Sequence, residues 1–252
     1  MKQFWRIYWP YIVLVLAVCL AYSNVYGNQF LLDDEFLILK NRFLQSSKYL
    51  RPLLLSCSTA GSGGADTFYR PLQGLVYFVL YQLNGPSVFG FHLLNVLLHA
   101  ANACLVFVLG RKLGFSKLAT LAAALLWALH PVHVEAITYI SATADPLYAF
   151  FCLLGLCFLL PSFSTWRMIA GCLCFVLALA SKETAIIFPL LAMLCIMLTY
   201  KERLTHVSFY RTIPLWLIAG VYLWLRMTWL HFNDFQFYKE PNITQKACGL
   251  GF

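Results

Sequence analysis

Residues 7–35, IYWPYIVLVLAVCLAYSNVYGNQFLLDDE, place three consecutive acidic residues directly after a long uncharged stretch. The uncharged part, 7–32, is long enough to cross a bilayer, because a helix rises about 1.5 Å per residue and the hydrocarbon core is about 30 Å thick. It is too long for a signal-peptide core and no small-residue cleavage site precedes Asp33, so we interpret it as a retained first transmembrane helix. The triplet Asp33, Asp34 and Glu35 at its mouth indicates chemistry at a membrane surface.

The composition of the chain predicts a polytopic membrane protein. Hydrophobic residues make up 61% of it and charged residues 11%, with a mean hydropathy of +0.73. The formal net charge of +8 would point to nucleic acid in a soluble protein. Here the Lys and Arg residues cluster in loops, where membrane orientation and lipid phosphates explain them, so we expect no nucleic-acid partner. Most of the nine cysteines lie in apolar segments, and no disulfide framework is predicted.

The pattern of uncharged runs predicts about seven transmembrane helices. They cover residues 8–26, 88–110, 117–134, 145–162, 166–181, 184–200 and 212–230. With the N-terminus in the cytoplasm, the short inner loops are dense in Lys and Arg, as the positive-inside rule requires. We therefore predict an all-α polytopic membrane domain over 1–230, followed by a tail, 231–252, that has no spanning segment and looks incomplete.

The longest connection, 27–87, is then an outer loop. Its middle, Phe36 to Leu55, mixes apolar residues with Lys and Arg and suits a helix lying in the membrane interface. The stretch 56–66 is rich in Gly and Ser and suits a turn. The stretch 69–83, with Pro71 as a helix start, is too short to span and predicts a second interfacial or re-entrant helix.

Four charged clusters emerge on the outer face in this topology. They read LLDDEFLILKN, FYRPL, LHPVHVEAITYISATADP and ASKETAI. Charged groups beside membrane helices are costly unless they are paired or hydrated, so their convergence predicts a polar pocket at the outer interface.

The adjacent residues Asp33 and Asp34 allow two interpretations. Because neighbouring side chains point in different directions, one carboxylate can act as a general base while the other orients it. Alternatively, one of them simply caps the helix expected to start near Phe36.

Cations and carboxylates elsewhere in these clusters also leave alternatives open. Arg70 suits a phosphate because its planar fork donates two parallel hydrogen bonds, yet it can also snorkel to the interface. Lys182 can hold a lipid phosphate with Glu183 as its partner, or the two can form the ion pair of a helix-hairpin turn. Asp145 precedes Pro146, where it can stabilise a helix start.

The histidines of the third cluster invite a metal interpretation that the sequence supports weakly. His130, His133 and Glu135 form H-x-x-H-x-E, but Pro131 disfavours a helical conformation at His130. We expect no metal there. On the second predicted span, four polar residues are expected to bond to neighbouring helices: His92, Asn95, His99 and Asn102.

The order of the motifs resembles a known family. DD after the first helix, YRPL, GFHLLNVLLHAANA, ALHPVHVEAI and SKETAI occur in the order found in the N-terminal membrane part of the type C glycosyltransferases that carry tetratricopeptide repeats. Their animal members are the transmembrane and tetratricopeptide-repeat O-mannosyltransferases. The match covers residues 27–191 and implies a partial GT-C-like fold.

The resemblance implies an inverting transferase that moves a sugar, mannose in the animal members, from a polyprenyl- or dolichyl-phosphate donor to a protein hydroxyl on the non-cytoplasmic face. Asp33 and Asp34 match the paired aspartates of the first outer loop, one of which is the base. The residues expected to bind the lipid phosphate or sugar are Arg70, His130, His133, Glu135, Asp145, Lys182 and Glu183. No cofactor is implied, and the partners are the lipid-linked donor, a protein acceptor and membrane lipids.

Two departures from the family pattern qualify this expectation. Thr143 stands where relatives often have Arg, and the later helices and the repeats are absent. The alternative is therefore a non-catalytic, truncated homologue that binds a polyprenyl-phosphate lipid or scaffolds a membrane partner. We expect a bacterial inner membrane, since no eukaryotic targeting feature beyond the first helix is evident, with the endoplasmic reticulum membrane as the alternative.

Overall fold

The structure, a computed structural model, describes residues 2–64, 66–160, 164–200 and 206–228. These residues form helices and turns and contain no strand. The α-helices are α1 (Lys2–Ala21), α2 (Leu50–Leu55), α3 (Pro71–Asn84), α4 (Val88–Lys112), α5 (Lys117–Ala128), α6 (Val134–Thr138), α7 (Ala144–Leu159), α8 (Thr165–Ser181), α9 (Phe188–Tyr200) and α10 (His206–Thr228). The predicted tail 231–252 lies outside the described residues.

Three helical segments of the described chain are long and apolar enough to cross a membrane. They are Ile7–Gly27, Val88–Lys112 and Ile140–Leu159. A fourth span results if α5 and the segment Pro131–Thr138 form one broken crossing, bent by 48°. The all-helical membrane class is thus supported, while a total of seven spans stays a prediction, because α8 and α9 are shorter apolar helices.

The span predicted over 117–134 does not form one continuous helix, since α5 ends at Ala128. Proline has no N–H for the helix ladder and disfavours the helical conformation of the residue before it. His130, which precedes Pro131, is accordingly extended at φ −67° and ψ 131°, and its Nδ1 accepts a hydrogen bond from the Val132 N–H. The break turns the chain toward the next short helix, α6.

The single interfacial helix predicted over Phe36 to Leu55 is also wrong. The chain there forms a π-turn, two 3₁₀ turns and α2, at Glu35–Leu39, Arg42–Leu44, Ser47–Tyr49 and Leu50–Leu55. Asn41 interrupts it, because its side chain accepts from the Phe43 N–H and donates to the Leu37 carbonyl. By contrast, α3 begins at Pro71 as predicted and ends at Asn84, where it is followed by Gly85 with a φ of +62°.

Helix α4 lies at the centre of the fold and packs against α1, α5 and α7. Three of its four predicted polar residues bond to other segments, as expected, whereas neither ring nitrogen of His92 has a hydrogen-bond partner among the described residues. Asn95 Nδ2 donates to the Ile137 and Tyr139 carbonyls, His99 Nε2 donates to Ala128, and Asn102 Nδ2 donates to Pro146. The Ile137 and Tyr139 carbonyls lie between α5 and α7, while those of Ala128 and Pro146 lie at the end of α5 and in the first turn of α7. Helix α4 therefore bonds to the interrupted stretch and to both of its flanks.

Candidate functional site

Side chains from all four charged clusters meet at one end of the helices. Asp34 of the outer loop bonds to the Ser141 N–H at 2.7 Å. Arg70 at the start of α3 pairs with Glu183, and Lys182 pairs with Asp145 at the start of α7. The outer loop, α3, the segment before α7 and the α8–α9 turn are therefore joined by polar contacts into one site.

The two adjacent aspartates have different environments. Asp34 is 1% exposed, and its carboxylate oxygens accept hydrogen bonds from the N–H groups of Leu31 at 2.9 Å and Ser141 at 2.7 Å. Burial raises the pKa of Asp34, while these two hydrogen bonds oppose that change. Its side chain does not cap the turn Glu35–Leu39. Asp34 instead fastens the outer loop to the segment before α7.

Asp33, in contrast, is exposed, and its carboxylate makes no hydrogen bond or ion pair with the described residues. Its backbone N–H donates to the Tyr139 hydroxyl at 3.1 Å. The residue lines a cavity of about 410 Å³, which we call the polar cavity. The charged and hydroxyl-bearing groups around this cavity include Asp33, Asp66, Arg70, Glu135, Tyr139 and Asp145.

Arg70 is held on two sides. Its Nε and Nη2 donate to the two carboxylate oxygens of Glu183 at 3.3 and 3.0 Å, and its guanidinium lies 4.5 Å from the Phe68 ring centre. The Arg70 side chain is 15% exposed and that of Glu183 is 24% exposed. Burial opposes ionisation of Glu183, but the hydrogen bonds and charge of Arg70 outweigh it and lower the pKa of that carboxyl.

Lys182 has a separate partner. Its Nζ lies 2.6 Å from Asp145 Oδ1, in the first turn of α7. Lys182 and Glu183 therefore do not form the ion pair of a simple hairpin turn, and each instead binds a charge on another helix. Both cations expected to hold phosphate, Arg70 and Lys182, are paired with carboxylates in this structure.

A second cavity of about 580 Å³, the apolar cavity, adjoins the polar one. Its lining is mostly aliphatic and aromatic and includes Val106, Trp127, Leu153, Leu156, Ile187 and Leu191. Glu135, Ala142 and Asp145 line both cavities and form the wall between them.

The two histidines of the predicted site lie in different environments, and only one of them lines a cavity. His133 lines the apolar cavity and packs on Trp127, with ring centres 4.5 Å apart. His130 is exposed, caps its own turn and is not among the residues that line the two cavities. No group of three or more His, Cys, Asp or Glu side chains in the described part of the chain is arranged to hold a metal ion.

Several contributors were not predicted from the sequence. Phe68 stacks on Arg70, Tyr139 binds Asp33, and the Ser141 N–H binds Asp34. Tyr139 and Ser141 lie inside the cluster LHPVHVEAITYISATADP. They were missed because they are uncharged, and the site was predicted from charged residues and histidines. Phe68 lies only two residues before Arg70, and this short spacing is a sequence signal for stacking of its ring on the guanidinium.

The chain is similar to animal proteins named protein O-mannosyl-transferases. It is 33% identical to human TMTC4 over 165 residues, which are 59% of this chain and 22% of the relative. It is 34% identical to Tmtc1 of Drosophila melanogaster over 197 residues, 71% of this chain and 22% of the relative. It is 31% identical to tmtc2 of Xenopus laevis over 228 residues, 81% of this chain and 27% of the relative.

The chain thus spans between 22% and 27% of the length of these relatives. No family model matches it, and no solved structure matches it. Because the relatives named here come from animals, they do not fit the bacterial inner membrane that the sequence favoured. They fit the endoplasmic reticulum alternative instead.

Proposed function

The chain is homologous to part of the protein O-mannosyl-transferases, and on this premise we propose that it transfers mannose from a polyprenyl- or dolichyl-phosphate donor to a protein hydroxyl at the non-cytoplasmic face of the endoplasmic reticulum membrane. The observation that carries this proposal is the pair of adjoining cavities. One is apolar and one is polar, and Glu135, Ala142 and Asp145 line both.

The apolar cavity suits the lipid chain of such a donor. Aliphatic side chains such as Leu153 and Leu156 from α7 and Leu191 from α9 line it, and a polyprenyl chain buries apolar surface there at about 25 cal/mol per Å². The sugar then lies beyond the shared wall, in the polar cavity. Seven membrane spans would place both cavities at the outer interface, where a lipid enters from the side and a protein acceptor from water.

In this proposal Asp33 is the general base. An effective base needs a carboxylate that a substrate hydroxyl can reach, and Asp33 is exposed and lines the polar cavity. Asp34 already accepts two backbone hydrogen bonds in the interior and serves to position the loop that carries Asp33.

The reaction is a single displacement. The acceptor oxygen bonds to the anomeric carbon while the bond from that carbon to the phosphate oxygen breaks, and the hydroxyl proton passes to Asp33. The polyprenyl phosphate leaves as an anion with the bonding electrons, and the anomeric configuration inverts. Arg70 and Lys182, close to the wall between the cavities, stabilise the charge that develops on the phosphate.

Replacing each aspartate separately tests this proposal. Membranes containing the full chain are incubated with radiolabelled polyprenyl-phosphate mannose and a Ser/Thr-rich acceptor protein. Asp33→Asn should lower transfer by about 10²- to 10⁴-fold, the usual contribution of a general base, without lowering the melting temperature. Asp34→Asn, the matched control, should lower the melting temperature more than Asp33→Asn does. Undiminished transfer by Asp33→Asn would remove the assigned base, and a wild-type chain that binds the donor without transfer would support the non-catalytic alternative.

A further inference from the structure

A second arginine, which the sequence did not single out, lies close enough to the Arg70–Glu183 pair for its charge to act on Glu183. Arg226 lies in the last turn of α10, one helical turn after Tyr222. Residues four apart share a helix face. Tyr222 packs against the apolar cluster that includes Ala185, a residue of the turn Glu183–Ile187. The end of α10 therefore faces the Arg70–Glu183 pair.

Two polar atoms on this face of α10 are buried without a hydrogen-bond partner in the described part of the chain. They are Arg226 Nη1 and the Tyr222 hydroxyl oxygen. A buried polar group without a partner loses its hydrogen bond to water, so this arrangement is unfavourable unless another state satisfies it. Both groups carry a hydrogen to donate, and a carboxylate is the acceptor that would suit them.

Glu183 is that carboxylate. The charge of Arg226 acts on Glu183 in addition to that of Arg70. The Tyr222 hydroxyl lies near the Arg226 guanidinium, which can only donate, so its own O–H still lacks an acceptor, and Tyr222 also interacts with the charges of Glu183 and Arg70. Glu183 is thus flanked by one cation that it holds at 3.0 Å and a second one with an unused donor.

We propose that Glu183 moves from Arg70 to Arg226 and Tyr222 when the phosphate of the lipid donor binds, so that the fork of Arg70 becomes free for the phosphate. Arg226 is accordingly a positioning residue, which acts through Glu183. This inference rests on the proposed function for the identity of the anion. Each charge keeps a partner in both states: Arg70 exchanges a carboxylate for a phosphate, and Glu183 exchanges one guanidinium for another. The two unpaired donors gain an acceptor only in the loaded state.

The test measures binding, so that it does not depend on transfer. The full chain in lipid nanodiscs is titrated with two tritiated probes, geranylgeranyl methyl phosphate, which is a monoanionic diester, and the neutral alcohol geranylgeraniol. Arg226→Gln should weaken diester binding about tenfold and leave alcohol binding unchanged. Arg226→Lys should stay within about threefold of wild type. Arg211→Gln, at the other end of α10, is the matched control and should bind both probes normally.

A double mutant separates partner exchange from a general charge effect. In Glu183→Gln, Arg70 is no longer held by an ion pair, so adding Arg226→Gln should change diester affinity by less than about twofold. If the two substitutions act additively, or if Arg226→Gln binds the diester as wild type does, the exchange is wrong. Equal loss of both probes would likewise contradict it. Should Arg226→Gln fail to fold, Tyr222→Phe carries the test, with a two- to threefold loss for the diester alone.

The two proposals can fail separately. Normal diester binding by Arg226→Gln, together with lost transfer in Asp33→Asn, would reject the exchange and keep the transferase. Diester binding that depends on Arg226 in a wild-type chain that transfers no mannose would keep the exchange and reject the transferase.

Discussion

The polar and apolar cavities lie side by side, yet their linings differ. Four carboxylates and one guanidinium surround the polar cavity, whereas aliphatic and aromatic side chains make up most of the apolar one. The segment between α5 and α7, which includes Glu135 and Ala142, separates them. Buried irregular backbone is tolerated only when its polar groups are satisfied, so the wall between the cavities depends on the polar side chains of α4 and on Asp34.

The difference shows how charge is distributed in this fold. The paired carboxylates and cations of the site lie at the end where the outer loop, α3 and the α8–α9 turn meet, while the buried part of α4 uses neutral amides and an imidazole. Helix α4 donates hydrogen bonds to carbonyls in and beside the wall through Asn95, His99 and Asn102. On the other side, Asp34 links the wall to the outer loop by accepting from the Ser141 N–H. Substitutions in the wall and in the two cavities should therefore have distinct effects.

The largest effect on stability is expected from Asp34→Leu. The substitution leaves the N–H groups of Leu31 and Ser141 without their acceptor in the interior, which should lower the free energy of unfolding by about 3 kcal/mol. Chemical denaturation in detergent micelles measures this change. Asp33→Leu is the control and should cost less than about 0.5 kcal/mol. Equal losses for the two would contradict the different roles of the adjacent aspartates.

A smaller loss is expected from Asn95→Leu. Asn95 bonds to the Ile137 and Tyr139 carbonyls and accepts from the Thr143 hydroxyl at 2.7 Å, so its replacement should cost about 2 kcal/mol. Its neighbour Leu97 is 51% exposed on the same helix, and Leu97→Ala should change stability far less. If the two variants unfold alike, α4 does not support the wall.

The apolar cavity can be filled without touching the polar one. Leu153→Trp adds bulk to its lining and should weaken binding of a long-chain donor about tenfold, which is about 1.4 kcal/mol. A donor with a single isoprene unit should be little affected. Leu154→Trp, a neighbour that does not line the cavity, should leave both affinities unchanged. An equal loss for short and long chains would place the lipid elsewhere.

The smallest effect is expected from His130→Ala. Although His130 was predicted from the sequence to bind the donor, it caps its own turn outside both cavities. Its loss should leave donor affinity within about twofold of wild type and should cost about 1 kcal/mol of stability as a lost cap. His133→Ala removes a lining side chain of the apolar cavity and should weaken long-chain donor binding more than His130→Ala does.

The sequence predicted the all-helical class, the start of α3 and the meeting of the four clusters for a simple reason. Charges at the ends of apolar runs, together with an alternating topology, restrict those ends to two faces, and Pro71 fixes the start of α3. The break at Pro131 was underestimated, since a proline in an apolar run is compatible with either a kink or an interruption.

The sequence could not predict which carboxylate pairs with which cation in the site. Arg70 and Lys182 were both matched to phosphate, and nothing in the order of residues indicates that Arg70 takes Glu183 while Lys182 takes Asp145. The same limit applies to Asp33 and Asp34. Their different burial arises from the Ser141 N–H, which is 107 residues away in the chain. Arg226 was missed because a lone arginine at the end of an apolar helix ordinarily indicates snorkelling.

Photo-crosslinking tests most directly whether one donor occupies both cavities. Two polyprenyl-phosphate mannose probes are needed, one with a diazirine at the end of the lipid chain and one with a diazirine on the sugar. The lipid probe should label peptides containing Trp127 or Leu153, and the sugar probe should label peptides containing Asp33 or Phe68. Labelling of the same peptides by both probes, or of neither set, would contradict a donor that extends across the wall formed by Glu135, Ala142 and Asp145.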